Sequence, residues 1–183
     1  MSYTRYEWIK DLNHALGNEH PLPEVEEFLL GWTFVETSAN SPSAAYNLLN
    51  TTEKATCSTD FNSAHVQNFT SYQQGIDVTA MLLRQSVFYT ALFAALKNND
   101  IKALGYGAAM SHEVSSDLQI WVSGKPDGDS AYPIDVRNAS NKGAADVFPG
   151  AKYTDQQLRA MAKAQSNDML SAINVLNSII AQL

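Results

Sequence analysis

Pro23-Glu24-Val25-Glu26-Glu27-Phe28-Leu29-Leu30-Gly31-Trp32-Thr33-Phe34-Val35-Glu36 is the stretch whose reading decides the fold. Pro21-Leu22-Pro23 opens it as a helix start, because a proline in the first turn gives up an N–H that has no intrahelical partner there. Glu24, Glu26 and Glu27 then crowd the first turn, where the positive end of the helix dipole favours them. Val25, Phe28, Leu29, Trp32 and Val35 build one apolar face. Val25, Leu29, Trp32 and Glu36 fall at i, i+4, i+7 and i+11, so a carboxylate ends an apolar stripe beside an indole. Burial disfavours the charged form, and the C-terminal end of a helix repels it as well. A carboxylic acid held protonated near neutral pH is what glycosidic cleavage requires, since the leaving oxygen must receive a proton. The pattern by itself leaves the plainer alternative open, a solvated glutamate at a helix end.

Working outward, Thr4-x-x-Glu7 is a capping-box pattern, followed at helical spacing by Tyr6, Ile9, Leu12 and Leu16 and closed by Gly17-Asn18. Residues 37–70 lack helical period and are rich in Ser, Thr and Asn, which predicts a loop with a small hairpin. Ser71-x-x-Gln74 caps one long helix through Leu96, carrying Ile76, Ala80, Leu83, Val87 and Leu92. Asp100 to Trp121 suits one or two short helices. The stretch 123–150, crowded with Gly, Pro, Asp, Asn and Ser, suits a linker or a surface excursion. Thr154-x-x-Gln157 starts a last helix that runs to Leu183. The expected fold is therefore mainly α: a helical domain over 1–122, a loop or linker over 123–153, and a C-terminal amphipathic helix over 154–183. In that last helix Leu158, Met161, Met169, Ile173, Leu176, Ile180 and Leu183 form a stripe at near-heptad steps. Such a stripe either completes its own core or docks on a partner helix, another protein or a second copy of this chain.

The 183 residues suit a single domain able to bury a full core, with 45% apolar and 17% charged residues. The net charge is −7, and residues 1–122 hold 6 Lys+Arg against 13 Asp+Glu. No basic stripe is available to neutralise phosphates, so no nucleic-acid partner is expected. An acidic body gains nothing from anionic lipid. No apolar run approaches the roughly eighteen residues of a membrane span, and the opening Met1-Ser2-Tyr3-Thr4-Arg5 runs into a polar pattern unlike a secretory signal. Cys57 is the single cysteine, which excludes an intrachain disulfide and a thiolate zinc site. His112-Glu113 lacks the second histidine of a zinc-protease helix, and Asp127-Gly128-Asp129 lacks the other EF-hand ligands. Neither a metal nor a cofactor is expected.

Several motifs occur in a telling order. Tyr6-Glu7-Trp8-Ile9-Lys10-Asp11-Leu12-Asn13-His14-Ala15-Leu16-Gly17 is followed by a Pro-containing entry to a helix that ends Trp32-Thr33-Phe34-Val35-Glu36. Then come Asn47-Leu48-Leu49-Asn50-Thr51-Thr52, Val66-Gln67-Asn68-Phe69 and Ser71-Tyr72-Gln73-Gln74-Gly75-Ile76. Over roughly residues 5–120 this series resembles a lysozyme-like family common in bacteriophage genomes, which carries Trp-x-x-x-Glu, Asn-Pro-Leu-Asn-Thr-Thr, Val-x-Asn-aromatic and Gly-Ile. A similar plan occurs in bacterial N-acetylglucosaminidases. Thr37 stands where the family has Gly, and Leu48 where it has Pro. A β-branched Thr does not easily adopt φ > 0, so a differently shaped turn after Glu36 is expected.

The resemblance implies a lysozyme-like fold, a peptidoglycan glycan strand as substrate, and Glu36 as general acid/base. It also implies that Asn47, Asn50, Thr51, Thr52, Phe69 and Tyr72 line the glycan groove. The same Asn and Thr side chains can instead fold the loop by bonding to nearby backbone, and Phe69 and Tyr72 can be core. Glu53 and Asp60 lie in the same loop without a defensible motif. A single Glu suits a lytic transglycosylase better than a two-carboxylate hydrolase. A chain made in the host cytoplasm without a signal could reach the wall as part of a virion or through a lesion made by another protein; the virion is the favoured route, with other virion proteins or a second copy as candidate partners of residues 154–183. The alternative is an inactive structural or adaptor protein of the virion that keeps the fold without its chemistry.

Overall fold

The computed structural model describes residues 3–37 and 44–142. Among these the chain is mainly helical. Its elements are α1 Arg5–Leu16, α2 Pro23–Glu36, β1 Thr59–Asp60, β2 Gln67–Asn68, α3 Tyr72–Gln85, α4 Thr90–Lys97, α5 His112–Ser123 and α6 Tyr132–Lys142. The C-terminal helix expected over 154–183 lies outside the described residues, as does the end of the expected linker.

The first helix follows its sequence signals closely. Thr4 and Glu7 form the reciprocal capping box, and Gly17 ends α1 in the left-handed region at φ 83°. Trp8, Ile9, Leu12 and Leu16 are buried, whereas Tyr6 is exposed. Pro23 opens α2 as expected, and Val25, Phe28, Leu29 and Trp32 on α2 are fully buried. The helix α2 packs on α1 and α6, while α1 also meets α3 and α4.

The expected long helix over Ser71–Leu96 is in fact two. Its axis bends by 115° between α3 and α4. Ser86 turns extended, and its Oγ accepts the Phe88 N–H at 3.1 Å. The start of α4 has no side-chain cap of its own; instead Asp117 on α5 accepts the Leu92 N–H at 2.8 Å and a further N–H from Ala91. A cap supplied from another helix replaces the hydrogen bonds that continuity would have made, which is a tertiary decision. Val87, placed on the apolar face by its spacing, is consequently 81% exposed. Asp117→Ala is expected to cost about 1 kcal/mol and to lower the melting temperature by about 2–4 °C, measurable by calorimetry.

The hairpin expected within 37–70 is present. Thr59 pairs with Asn68 and Asp60 with Gln67, antiparallel. The stretch read as loop or linker over 123–153 needs correction, because residues 132–142 form α6, packed on α2 and α5. Pro133 sits in its first turn, where it costs no hydrogen bond, and Tyr132, Pro133 and Val136 are buried. The compact unit accordingly extends through α6, beyond residue 122. Among the described residues no single helix is long and apolar enough to cross a membrane.

Candidate active site

Glu36 ends α2, and the chain leaves it through Thr37 in an extended conformation, φ −133°. Thr37 is not in the left-handed region, so its β-branched side chain is accommodated without strain. The bare carbonyls at this helix end are met by Arg5 of α1. Its guanidinium donates to Thr33 O at 2.7 Å and Thr37 Oγ1 at 2.6 Å, with a further bond to Thr37 O. The same group lies 4.8 Å from the Phe34 ring centre. A cation at a helix C-terminus is favourable and partly offsets the dipole that Glu36 feels.

Three groups from three separate segments converge on the Glu36 carboxyl. Asn50 Nδ2 donates to Oε2 at 3.1 Å and to the Glu36 backbone carbonyl at 2.5 Å. Tyr132 on α6 donates its hydroxyl to Oε1, and the Trp121 indole on α5, whose N–H donates to Leu49 O at 3.2 Å, is near enough to hold the carboxyl's pKa down. The tyrosine oxygen has a second partner. Trp32 Nε1, which can only donate, bonds to the Tyr132 oxygen at 2.9 Å, leaving the hydroxyl proton for Glu36. Burial is the largest influence on Glu36 and raises its pKa above the ordinary glutamate range, against the opposing bonds from Tyr132, Asn50 and Trp121. The acid-favouring environment read from the stripe ending at Trp32 is thus present, with desolvation as its main cause. Tyr132 itself is pushed far up by burial and by the neighbouring Glu36, so it remains a proton donor.

Of the residues expected to line a groove, Asn50 alone is brought to Glu36. It takes a left-handed φ of 51°, which asparagine tolerates better than most residues. Asn47 is fully buried and staples the loop from inside: Nδ2 donates to Thr51 O and Gln67 O, both at 2.8 Å, and Oδ1 accepts the Thr51 N–H at 2.9 Å. Thr51 is buried in the same staple, while Thr52 is exposed. Phe69 is core, 3% exposed. The Tyr72 hydroxyl donates to Asp11 at 2.7 Å, and its ring lies 4.7 Å from that of Tyr3. Asn47, Thr51 and Phe69 therefore build the loop and its seat instead of offering themselves to a ligand. Asp60 is exposed on β1, bonded to His65 and Gln67, which hold its carboxyl below the usual range. Glu53 is also exposed.

Tyr132, Trp121 and Arg5 carry no sequence signal of their own at this site. Tyr132 lies 96 positions from Glu36, in a stretch whose composition reads as loop. Tyr132→Phe is expected to leave the buried Trp32 N–H without an acceptor, at a cost of about 1–3 kcal/mol. It should also remove a bond that favours ionised Glu36, moving any titration of that group to higher pH. Melting curves and a pH profile check the two effects separately.

No protein family, curated protein or solved structure matches this chain.

Proposed function

We propose that the chain is a lysozyme-like, virion-associated bacteriophage protein that cleaves the glycan strand of peptidoglycan, with Glu36 as general acid/base. The carrying observation is the Glu36 carboxyl at the end of α2, raised in pKa by burial and oriented by Tyr132 and Asn50. A protonated Glu36 gives its proton to the glycosidic oxygen as the C1–O bond breaks. The resulting carboxylate then takes the proton of the sugar's own C6 hydroxyl as that oxygen closes on C1. This intramolecular closure needs one carboxylate only. No second carboxylate is assigned a part in the reaction, and on that ground a lytic transglycosylase is proposed over a hydrolase with two carboxylates.

The experiment is digestion of purified peptidoglycan followed by mass spectrometry of the soluble products. The expected result is muropeptides with 1,6-anhydro-muramyl ends. Reducing muramyl ends would mean hydrolysis, and reducing N-acetylglucosamine ends a glucosaminidase.

One observation favours the alternative of an inactive structural protein. Both carboxyl oxygens of Glu36 are occupied by donors, so the group also serves as a tie between α2, the Asn50 loop and α6. If that tie is its whole role, the wall stays intact and Glu36→Gln loses stability instead of gaining it.

A further inference from the structure

Arg5 is the first residue of α1, directly after the Thr4 cap. A cation there is opposed by the dipole of its own helix, whose N-terminal end is positive. The position gives it reach to the end of another helix. From Nη1 it donates to Thr33 O at 2.7 Å and to Thr37 Oγ1 at 2.6 Å, and from Nη2 to Thr37 O. The same guanidinium lies over the Phe34 ring, 4.8 Å from its centre. Thr37 Oγ1 in turn donates to Thr33 O at 2.7 Å, beside the Thr37 N–H on the same carbonyl at 2.9 Å. Both threonines are buried. In the chain they bracket Glu36, Thr33 three residues before it and Thr37 one after. The Glu36 carbonyl is held separately, by Asn50 Nδ2 at 2.5 Å. Without these donors the last turn of α2 would end on bare carbonyls.

The geometry points to Arg5 as a positioning residue, whose fork fixes the backbone on both sides of Glu36 and so holds the carboxyl where a proton can be passed. This rests on the glycan-cleavage reading above. The bonds of Arg5 go to Thr33 and Thr37, so it acts through the place it gives Glu36. A misplacement of about 1 Å at a reacting group costs on the order of a hundredfold in rate. Charge and geometry can be separated here. A lysine would keep a cation at the end of α2, but its ammonium is a point charge on a flexible stem and cannot span both threonines as a planar fork does.

The test compares the unaltered full chain with Arg5→Lys, Thr37→Val and the double variant. Initial rates of muropeptide release from sonicated peptidoglycan are measured over a range of substrate concentrations and referred to the folded fraction of each protein. Arg5→Lys is expected to lower kcat about tenfold and to leave KM within about twofold, as befits a group that serves the transition state and not substrate binding. Thr37→Val, which removes one acceptor of the fork, should lower kcat about threefold. The double variant should lose little more than Arg5→Lys alone, because both changes break one unit. Asn18→Ala is the control for stability. Its amide bonds Leu96 O at 2.8 Å and Asn99 Oδ1 at 3.0 Å beyond the other end of α1, so it should lower the melting temperature and leave kcat per folded molecule unchanged. Arg5→Lys with the parent's kcat, a fall in kcat matched by Asn18→Ala, or losses that multiply in the double variant overturn the positioning role. Wall digestion by the unaltered chain then leaves the cleavage reading standing. No digestion by the unaltered chain overturns both.

Discussion

Glu36→Gln is expected to reduce release of soluble peptidoglycan fragments by at least about a hundredfold, the lower end of what a positioned acid contributes, while making the protein more stable at neutral pH. The second effect follows from the first property. Burial raises the folded-state pKa of Glu36 above its unfolded value. The contribution of such a group to stability is fully present below the unfolded pKa and is lost as pH rises through the folded one. At neutral pH the ionised side chain therefore burdens the folded state, and the isosteric amide, which still accepts from Tyr132 or Asn50, does not. The gain should be on the order of 1 kcal/mol, or about 2–4 °C in melting temperature. It should vanish at pH values below the ordinary glutamate range, where both side chains are neutral. Paired calorimetric scans across pH and a turbidity assay on purified walls check both effects. A variant that digests walls as well as the parent removes Glu36 from the mechanism. A variant less stable at neutral pH than at acid pH, relative to the parent, reverses the electrostatic account.

Gly75→Ala is expected to be strongly destabilising. The helix α3 meets the loop before Asn47 so closely that a Cβ on Gly75 would stand 2.0 Å from the Tyr46 carbonyl oxygen and 3.2 Å from Tyr46 Cβ. The opposing atom is backbone, held by a Tyr46 φ of 57° and by the Asn47 staple immediately after it. Relief therefore demands movement of the whole loop. A loss of about 3 kcal/mol is expected, equivalent to about 6–12 °C. Because the same loop carries Asn50 to the Glu36 carboxyl, activity should fall further than stability alone explains. Gly124→Ala is the useful comparison. Gly124 lies at φ 70° with no neighbour within 4 Å of a Cβ, so only the roughly 1–2 kcal/mol of a left-handed residue is lost. If the two variants melt together, the close approach of α3 to the loop is not what Gly75 provides.

The Gly75-Ile76 pair thus entered the sequence reading as part of a motif, and its physical reason became visible only with the fold. The same holds for Asn47 and Asn50. The family resemblance implied a groove role for both, yet Asn47 points into the loop and satisfies two buried carbonyls, while Asn50 turns through the left-handed region toward Glu36. Residues of one type, three apart, were separated by backbone conformation, which composition does not encode.

What the sequence by itself determined was local. The capping box at Thr4, the prolines before α2, the left-handed Gly17 and the apolar stripe ending at Glu36 each act within a few residues. Their energies are settled by neighbours along the chain. Tertiary structure decided everything that depended on a group arriving from elsewhere. Asp117 split one apparent helix into α3 and α4 by capping the second from α5. Tyr132 turned a Gly- and Asp-rich stretch into the start of a helix that seals the site, because its hydroxyl accepts from Trp32 and donates to Glu36. Arg5 met the carbonyls at the end of α2 from the first turn of α1. Hydrogen bonds of this kind gain their weight from exclusion of water. That exclusion exists only once α2, α5 and α6 are packed together.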